Sequence, residues 1–260
     1  MLAKTIAVAN QKGGVGKTTT AVNLSACLAY YGKKVLIVDI DPQGNTTSGL
    51  GFDKKEIKSS IYDALINDID INTAIFDTGI DNLKLCPSNI QLAGAEVELV
   101  PMISRETRMK NVLEGIKEEY DFIIMDCPPS LALLTVNALT AANTILVPIQ
   151  CEYYALEGLS QLMDTVNLVQ RHLNKKLDVE GVVLTMFDAR TNLSIQVVDE
   201  VKKYFKNKVY GTIIPRNVRL SEAPSHGLPI IVYDPKSKGA ECYLELASEV
   251  IECDEEERQC

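Results

Sequence analysis

The 260-residue sequence predicts an α/β fold, a doubly wound and mainly parallel sheet flanked by helices. Three observations predict it. Apolar, β-branched runs of five to seven residues recur along the chain, segments with helical periodicity separate them, and the chemically active residues stand just after the runs. A run that is apolar throughout, with no alternation, suits a strand buried on both faces, which is the situation of a parallel sheet covered by helices on each side.

Taken in order, the expected strands are "TIAVA" at 5–9, "KVLIVDI" at 34–40, "FIIMD" at 122–126, "TILVPI" at 144–149, "GVVLTM" at 181–186 and "VYGTIIP" at 209–215. Between the first two, "TTTAVNLSACLAYYG" reads as a helix stopped by Gly32. "ALEGLSQLMDTVNLVQRHL" carries apolar residues at helical spacing after the fourth. No internal repeat or low-complexity linker divides the chain, so one domain is expected over residues 1–252. The acidic end, residues 253–260, is expected to be a frayed, disordered tail.

Composition narrows the class. Hydrophobic residues make up 46% and charged residues 23%, an ordinary globular balance. No apolar run reaches the length of a membrane span, and the opening "MLAKTIAVAN" lacks a cleavage site, so a cytoplasmic address is expected. Seven scattered cysteines without a C-x-x-C pair read as free thiols. The net charge of −9 by itself argues against a polyanionic partner, yet residues 171–219 hold ten Lys/Arg against five acids, a basic segment in an acidic chain.

The stretch "NQKGGVGKTTT" at 10–20 follows the first strand and opens the first helix. Glycines there leave backbone N–H groups free to face phosphate, and the helix N-terminus adds its positive end. Lys17 is placed to reach terminal phosphates and the Thr18 hydroxyl to meet Mg²⁺. The strict G-x-x-x-x-G-K-[ST] pattern fails at one position, because Gln11 stands where its first glycine belongs. Asp39 and Asp41 close the second strand ahead of Pro42, and Asp126 closes "FIIMD". A lone acid at the end of a buried strand, far downstream of a phosphate loop, is the Walker B arrangement that faces magnesium. A turn-forming role is an equal alternative for Asp39 or Asp41 judged alone. Neither His172 nor His226 is placed for general-base work, so slow, switch-like hydrolysis is expected.

"NQKGGVGKTTT" resembles the deviant Walker A motif of the ParA/MinD family of P-loop ATPases, in which an added lysine, here Lys12, is the signature. The resemblance implies ATP and Mg²⁺ as ligands, with Gln11, Lys12, Gly13, Gly14, Val15, Gly16, Lys17, Thr18 and Thr19 around the nucleotide. It also implies a homodimer in which Lys12 reaches the partner's ATP, a cation supplied in trans much as an arginine finger is. Asp41 matches the family's water-positioning aspartate, with Lys12 and Lys17 beside it in catalysis. Asp39, Thr18 and Asp126 match the positions near the metal. Pro215 and Asn217 in "IIPRNVRLSEAPSHG" match residues bordering adenine, though a capping role is as natural for Asn217, and Glu152 in "CEYYALEG" matches a position near nucleotide and dimer interface.

Two branches share the loop. "DIDPQGNTTSGLG", "LAGAEVELV", "DCPPSLALLTVNALTAA" and "DARTNLSIQVVDEVKKYF" are similar to the ParA/Soj branch through nearly the whole chain. That branch implies non-specific double-stranded DNA as a partner, a nucleoid location, stimulation by a ParB/Spo0J-type protein, and a possible tie to a replication initiator or to sporulation. Arg190 and Arg219 match positions implicated in DNA contact, and Lys202, Lys203 and Lys206 are expected to extend the patch, although a charged helix face is ordinarily just solvated. The alternative is a MinD-like membrane-cycling ATPase, disfavoured by the acids of "SEVIECDEEERQC", which anionic lipid repels. An electron-transfer reductase sharing the loop is a further alternative, and the scattered cysteines speak against its cluster.

Overall fold

The computed structural model describes residues 2–152 and 157–259. Eight strands form one sheet: β1 (Lys4–Val8), β2 (Val35–Asp39), β3 (Phe76–Asp77), β4 (Leu83–Cys86), β5 (Phe122–Asp126), β6 (Thr144–Gln150), β7 (Asp178–Phe187) and β8 (Val209–Pro215). Their order is β3-β4-β2-β5-β1-β6-β7-β8. Every pairing is parallel except that of β3 with β4. The six strands expected from sequence are all present; five are buried on both faces along their apolar runs, whereas β8 at the sheet edge alternates buried with more open positions. The β3–β4 hairpin was not expected. Two residues in β3, and the exposed Lys84 in the middle of β4, give too little pattern to distinguish an edge strand from a loop.

The helices are α1 (Lys17–Tyr30), α2 (Asn45–Gly49), α3 (Ile61–Ile66), α4 (Leu92–Leu99), α5 (Arg108–Glu114), α6 (Leu133–Ala141), α7 (Glu157–His172), α8 (Asn192–Phe205), α9 (Val218–Glu222), α10 (Ile230–Tyr233) and α11 (Lys238–Gln259). Alternation along each strand divides the core in two. Ile6, Val8 and Ile37 face a layer made with α1, α10 and α11, while Ala7, Leu36 and Val38 face the layer of α3 to α8. The first helix stops where the sequence indicated, with Gly32 in the left-handed region at φ 80°. The start of the helix expected from residue 155 and part of "CEYYALEG" lie outside the described residues, as does Cys260. Among the described residues no helix is long and apolar enough to cross a membrane.

The expected disordered tail is corrected. Residues 253–259 continue α11, whose end is held to the sheet rather than released into solvent. Glu257 accepts a 2.8 Å bond from Lys4 Nζ, Arg258 pairs with the buried Asp254, and Lys4 reaches Glu180 at 3.0 Å on its other side. The acids that looked repulsive in sequence find a buried cation waiting under the first strand. Removing residues 253–260 should therefore lower the unfolding free energy by about 1.5–3 kcal/mol, the scale of a hydrogen bond to a charged group. Urea unfolding of the truncated chain measures this; a solvated tail would leave the midpoint unchanged.

Candidate nucleotide site

β1 pairs with β5 and β5 with β2, so Val8, Asp126 and Asp39 lie in one row at the carboxyl ends of three neighbouring strands. The phosphate loop leaves β1 at this row. Gly14 and Gly16 sit at φ 74° and 87°, a left-handed geometry that other residues adopt only with strain. A Cβ added at Gly13 or Gly14 would meet nothing within 4 Å, so the loop encloses open space. Thr18 and Thr19 begin α1 directly behind it. Asn10 ties the loop to the sheet through Nδ2 to the Pro148 carbonyl at 2.8 Å, and its Oδ1 accepts the Lys12 N–H at 3.0 Å.

Lys17 is buried and its Nζ donates to the Lys12 carbonyl at 3.0 Å. Burial lowers its pKa, opposed by the charges of Asp126 and Asp41. With its ammonium resting on the loop's own carbonyl, Lys17 has a weak partner to exchange for a phosphate oxygen. Among the described residues Gln11 Oε1 is buried without a hydrogen-bond partner, beside Gly158 of α7.

Asp39 and Asp126 are fully buried, and burial pushes both carboxyl groups above the usual range, Asp39 further because the Asp126 charge adds to it. Hydroxyls and N–H groups offset this. Asp126 Oδ2 accepts from Thr18 Oγ1 and Thr46 Oγ1, each at 2.8 Å. Asp39 Oδ2 accepts the Thr47 N–H at 2.8 Å and its hydroxyl at 2.7 Å, while Oδ1 accepts the Asp41 N–H at 3.2 Å. Thr47 Oγ1 in turn accepts the Ser88 N–H at 3.0 Å. Asp41 turns its Oδ1 onto the Gln43 N–H at 2.9 Å and lies 7% exposed at the rim.

A magnesium ion fits part of this set. Asp126 Oδ1 is buried and unpartnered, an anionic oxygen beside the Thr18 hydroxyl, which are the hard donors Mg²⁺ takes. Asp39 is different, since both its oxygens are already engaged by the chain; it braces Asp41 and α2. Thr46 and Thr47 were not singled out in the sequence. Two hydroxyls directly after the "DPQGN" turn were the available signal, but only the fold shows that they face the two carboxylates.

The remaining candidates lie further along the same edge. Pro215 ends β8, three strands from β1. Asn217 caps α9 through Oδ1, which accepts the Arg219 and Leu220 N–H groups at 2.8 and 3.3 Å, the local role weighed above. Glu152 pairs with Arg216 at 3.1 Å. Arg190, 88% exposed, precedes α8, and Arg219 lies on α9. Lys202, Lys203 and Lys206 are not brought to them. They stand at the far end of α8, about 20 Å away at 1.5 Å per residue, because a crossover helix carries the chain back to the other end of the sheet.

A buried strut links these regions. Thr185 Oγ1 on β7 donates to the Val15 carbonyl of the phosphate loop at 2.8 Å, its own carbonyl accepts the Cys151 N–H at 3.0 Å, and Ser194 Oγ at the start of α8 donates to the Cys151 carbonyl at 3.2 Å.

A left-handed glycine loop at the head of a buried helix, with Lys17, Thr18 and a strand-end aspartate converging behind it, on a sheet of this order, defines a P-loop nucleoside triphosphatase. The comparisons narrow that class. A family model described as an AAA domain matches residues 3–179. The sporulation initiation inhibitor protein Soj of Bacillus subtilis is 67% identical over 249 residues, covering 96% of this chain and 98% of that protein. The chromosome partitioning protein ParA of Myxococcus xanthus is 55% identical over 249 residues, covering 96% and 88%. A solved structure described as cobyrinic acid a,c-diamide synthase from Mycobacterium smegmatis, with bound ATP analogue and magnesium, superposes with a TM-score of 0.85 at 38% identity, covering 96% of this chain and 95% of that one. The chain belongs to the ParA/Soj family of chromosome-partitioning ATPases.

Thr185→Val keeps the shape of the strut and removes its donor to Val15. The orphaned carbonyl should lower stability by about 1–3 kcal/mol. Isothermal titration with ADP should show weaker binding in parallel, since the loop loses its brace.

Proposed function

We propose that this chain is an ATP-driven dimer switch that binds DNA without sequence preference and acts in chromosome or plasmid partitioning. The convergence of the phosphate loop, the orphaned Asp126 oxygen and the rim carboxylate Asp41 carries this reading. Backbone N–H groups of Gly13 to Thr19 and the Lys17 ammonium bind the phosphates. Thr18 and Asp126 would hold Mg²⁺, which would supply neutralisation of phosphate charge. Asp41, held by the Gln43 N–H and braced from Asp39, orients the attacking water for in-line displacement. Carboxylates are weak bases for water, so turnover is slow and the ATP state persists.

In this reading Lys12 serves the nucleotide of a second copy, and the dimer sets two arginine surfaces on one face. Pro215 and Asn217 border the base, and Glu152 adjoins the nucleotide. The arginine surface is Arg190 and Arg219 with Arg216, which sits between them in the fold because its N–H binds the Phe187 carbonyl. A ParB/Spo0J-type protein stimulates hydrolysis and returns the chain to the DNA-free state. The same switch is available to a replication initiator or to sporulation control, and the address is cytoplasmic and nucleoid-associated. Membrane cycling of the MinD kind gains nothing from α11, whose exposed Glu252, Glu255 and Glu256 oppose anionic lipid.

Asp41→Ala should reduce single-turnover hydrolysis by about 100-fold or more while the ATP dimer and its DNA binding persist. Gel filtration and DNA mobility with ATP and Mg²⁺ measure both, and failure of ATP to dimerise the protein or tighten DNA binding in either form would sink the reading. Lys12→Ala should lose the ATP dimer and its hydrolysis; a Lys12→Ala protein that dimerises and turns over normally would remove the role in trans.

A further inference from the structure

Each arginine of this surface already carries a carboxylate. Asp188 grips Arg190 with both oxygens, Oδ1 accepting from Nε at 2.9 Å and Oδ2 from Nη2 at 2.6 Å, and Oδ1 also accepts the Arg190 N–H at 3.0 Å. Arg190, and Arg216 more weakly, hold the Asp188 carboxyl well below the usual range, so it stays charged. Arg219 lies between Glu222, whose Oε2 accepts from Nη1 at 2.9 Å, and Asp234, whose Oδ2 is 3.4 Å from Nε. Tyr233 OH donates to the same Glu222 oxygen at 3.3 Å and holds it in place. Glu152 pairs with Arg216.

We infer that Asp188 and Glu222 act as internal counter-ions that compete with the phosphodiester backbone for Arg190 and Arg219, and so set how weakly one copy of the chain holds DNA. The inference rests on the DNA-binding reading above and names what limits it. A guanidinium grips carboxylate and phosphate with the same planar fork, and Asp188 occupies the Nε–Nη2 edge that a phosphate would use. The pairs are displaceable, because Arg190, Arg219, Glu222 and much of Asp234 face water, where ion pairs contribute little. A phosphate that takes the arginine must still sit beside the displaced acid. One copy therefore offers a poor site, and two copies on one duplex are needed to hold it, which confines DNA binding to the dimer without any change of shape in the surface.

The test compares Asp188→Asn, Glu222→Gln and the pair with the parent on a mixed-sequence duplex, by fluorescence anisotropy with ATP and Mg²⁺ across a salt series. Both substitutions keep the side-chain size and remove one charge, and Asp188→Asn also loses one of the two acceptors that grip Arg190. Glu114→Gln, on α5 and paired there with Lys117, makes the same change of net charge away from the surface. Each surface variant should bind about three- to tenfold tighter, the size of removing one unit charge a few ångströms from a phosphate in water. The slope of log K against log salt should steepen by about one for each phosphate newly neutralised. Glu114→Gln should stay within about twofold by the same Coulomb scale at long distance. Equal tightening by Glu114→Gln would assign the effect to overall charge and overturn the inference. Arg190→Ala separates the two levels. If it weakens DNA binding while Asp188→Asn and Glu222→Gln leave it unchanged or weaker, the counter-ion role fails and the DNA reading stands. If no variant changes DNA binding, both fail. Without nucleotide, where one copy meets the duplex alone, a double variant that binds beside a parent that does not would support the inference directly.

Discussion

Two buried carboxylates in register constrain most of the functional edge. Asp39 and Asp126 are Cα partners on β2 and β5, fully removed from water, and among the described residues neither has a basic side chain against it in hydrogen-bond contact. Buried charge of one sign must be met by oriented donors or by a cation. The donors come from the segments that leave neighbouring strands: Thr18 from the head of α1, Thr46 and Thr47 from α2, the Asp41 N–H from the turn between. The Asp126 oxygen left without a partner among the described residues is the remainder, which a divalent cation would complete. The head of α1 and the start of α2 thus both supply donors to one unfavourable burial.

That constraint also explains how the two aspartates differ. Motif matching places Asp39 and Asp126 together near the metal, but their hydrogen bonds divide the work. Asp126 keeps an oxygen in reserve, whereas Asp39 spends both on its own chain, one on the turn that carries Asp41 and one on Thr47, which continues to Ser88. Asp39 therefore holds the turn that carries Asp41. A second relay, from Val15 through Thr185 and Cys151 to Ser194, runs from the same loop to the start of α8, beside which Arg190 stands.

Charge behaves differently at the two ends of the molecule. At the amino end of β1 the acidic α11 meets a buried Lys4, and a segment that composition marks as solvated is docked. At the carboxyl end the basic segment is not a continuous patch. Lys202 and Lys203 are carried by α8 to the opposite end of the sheet, and Arg190, Arg216 and Arg219 are each met by an acid from nearby in the chain or across the fold. A groove of about 630 Å³ beside Lys34, Ile80, Lys84 and Tyr120 opens at the amino ends of β2 and β4, away from every residue of the nucleotide site.

The sequence by itself determined the sheet and the ligand class. Residues such as "VLIVD" and "FIIMD" are stable only where both faces are covered, and a glycine-rich turn between such a strand and a helix has few uses other than holding phosphate. Local pattern suffices for those because their physics is local. It missed the β3–β4 edge, the docking of residues 253–259, the threonines facing Asp39 and Asp126, and the separation of Lys202, Lys203 and Lys206 from Arg190. Two of these depend on distant partners, Thr46 on Asp126 80 residues away and Glu257 on Lys4 253 residues away, and the others on how a short segment or a returning helix is laid against the sheet, which only tertiary structure decides. Spacing along a chain says which groups are present; the fold decides which of them share a hydrogen bond.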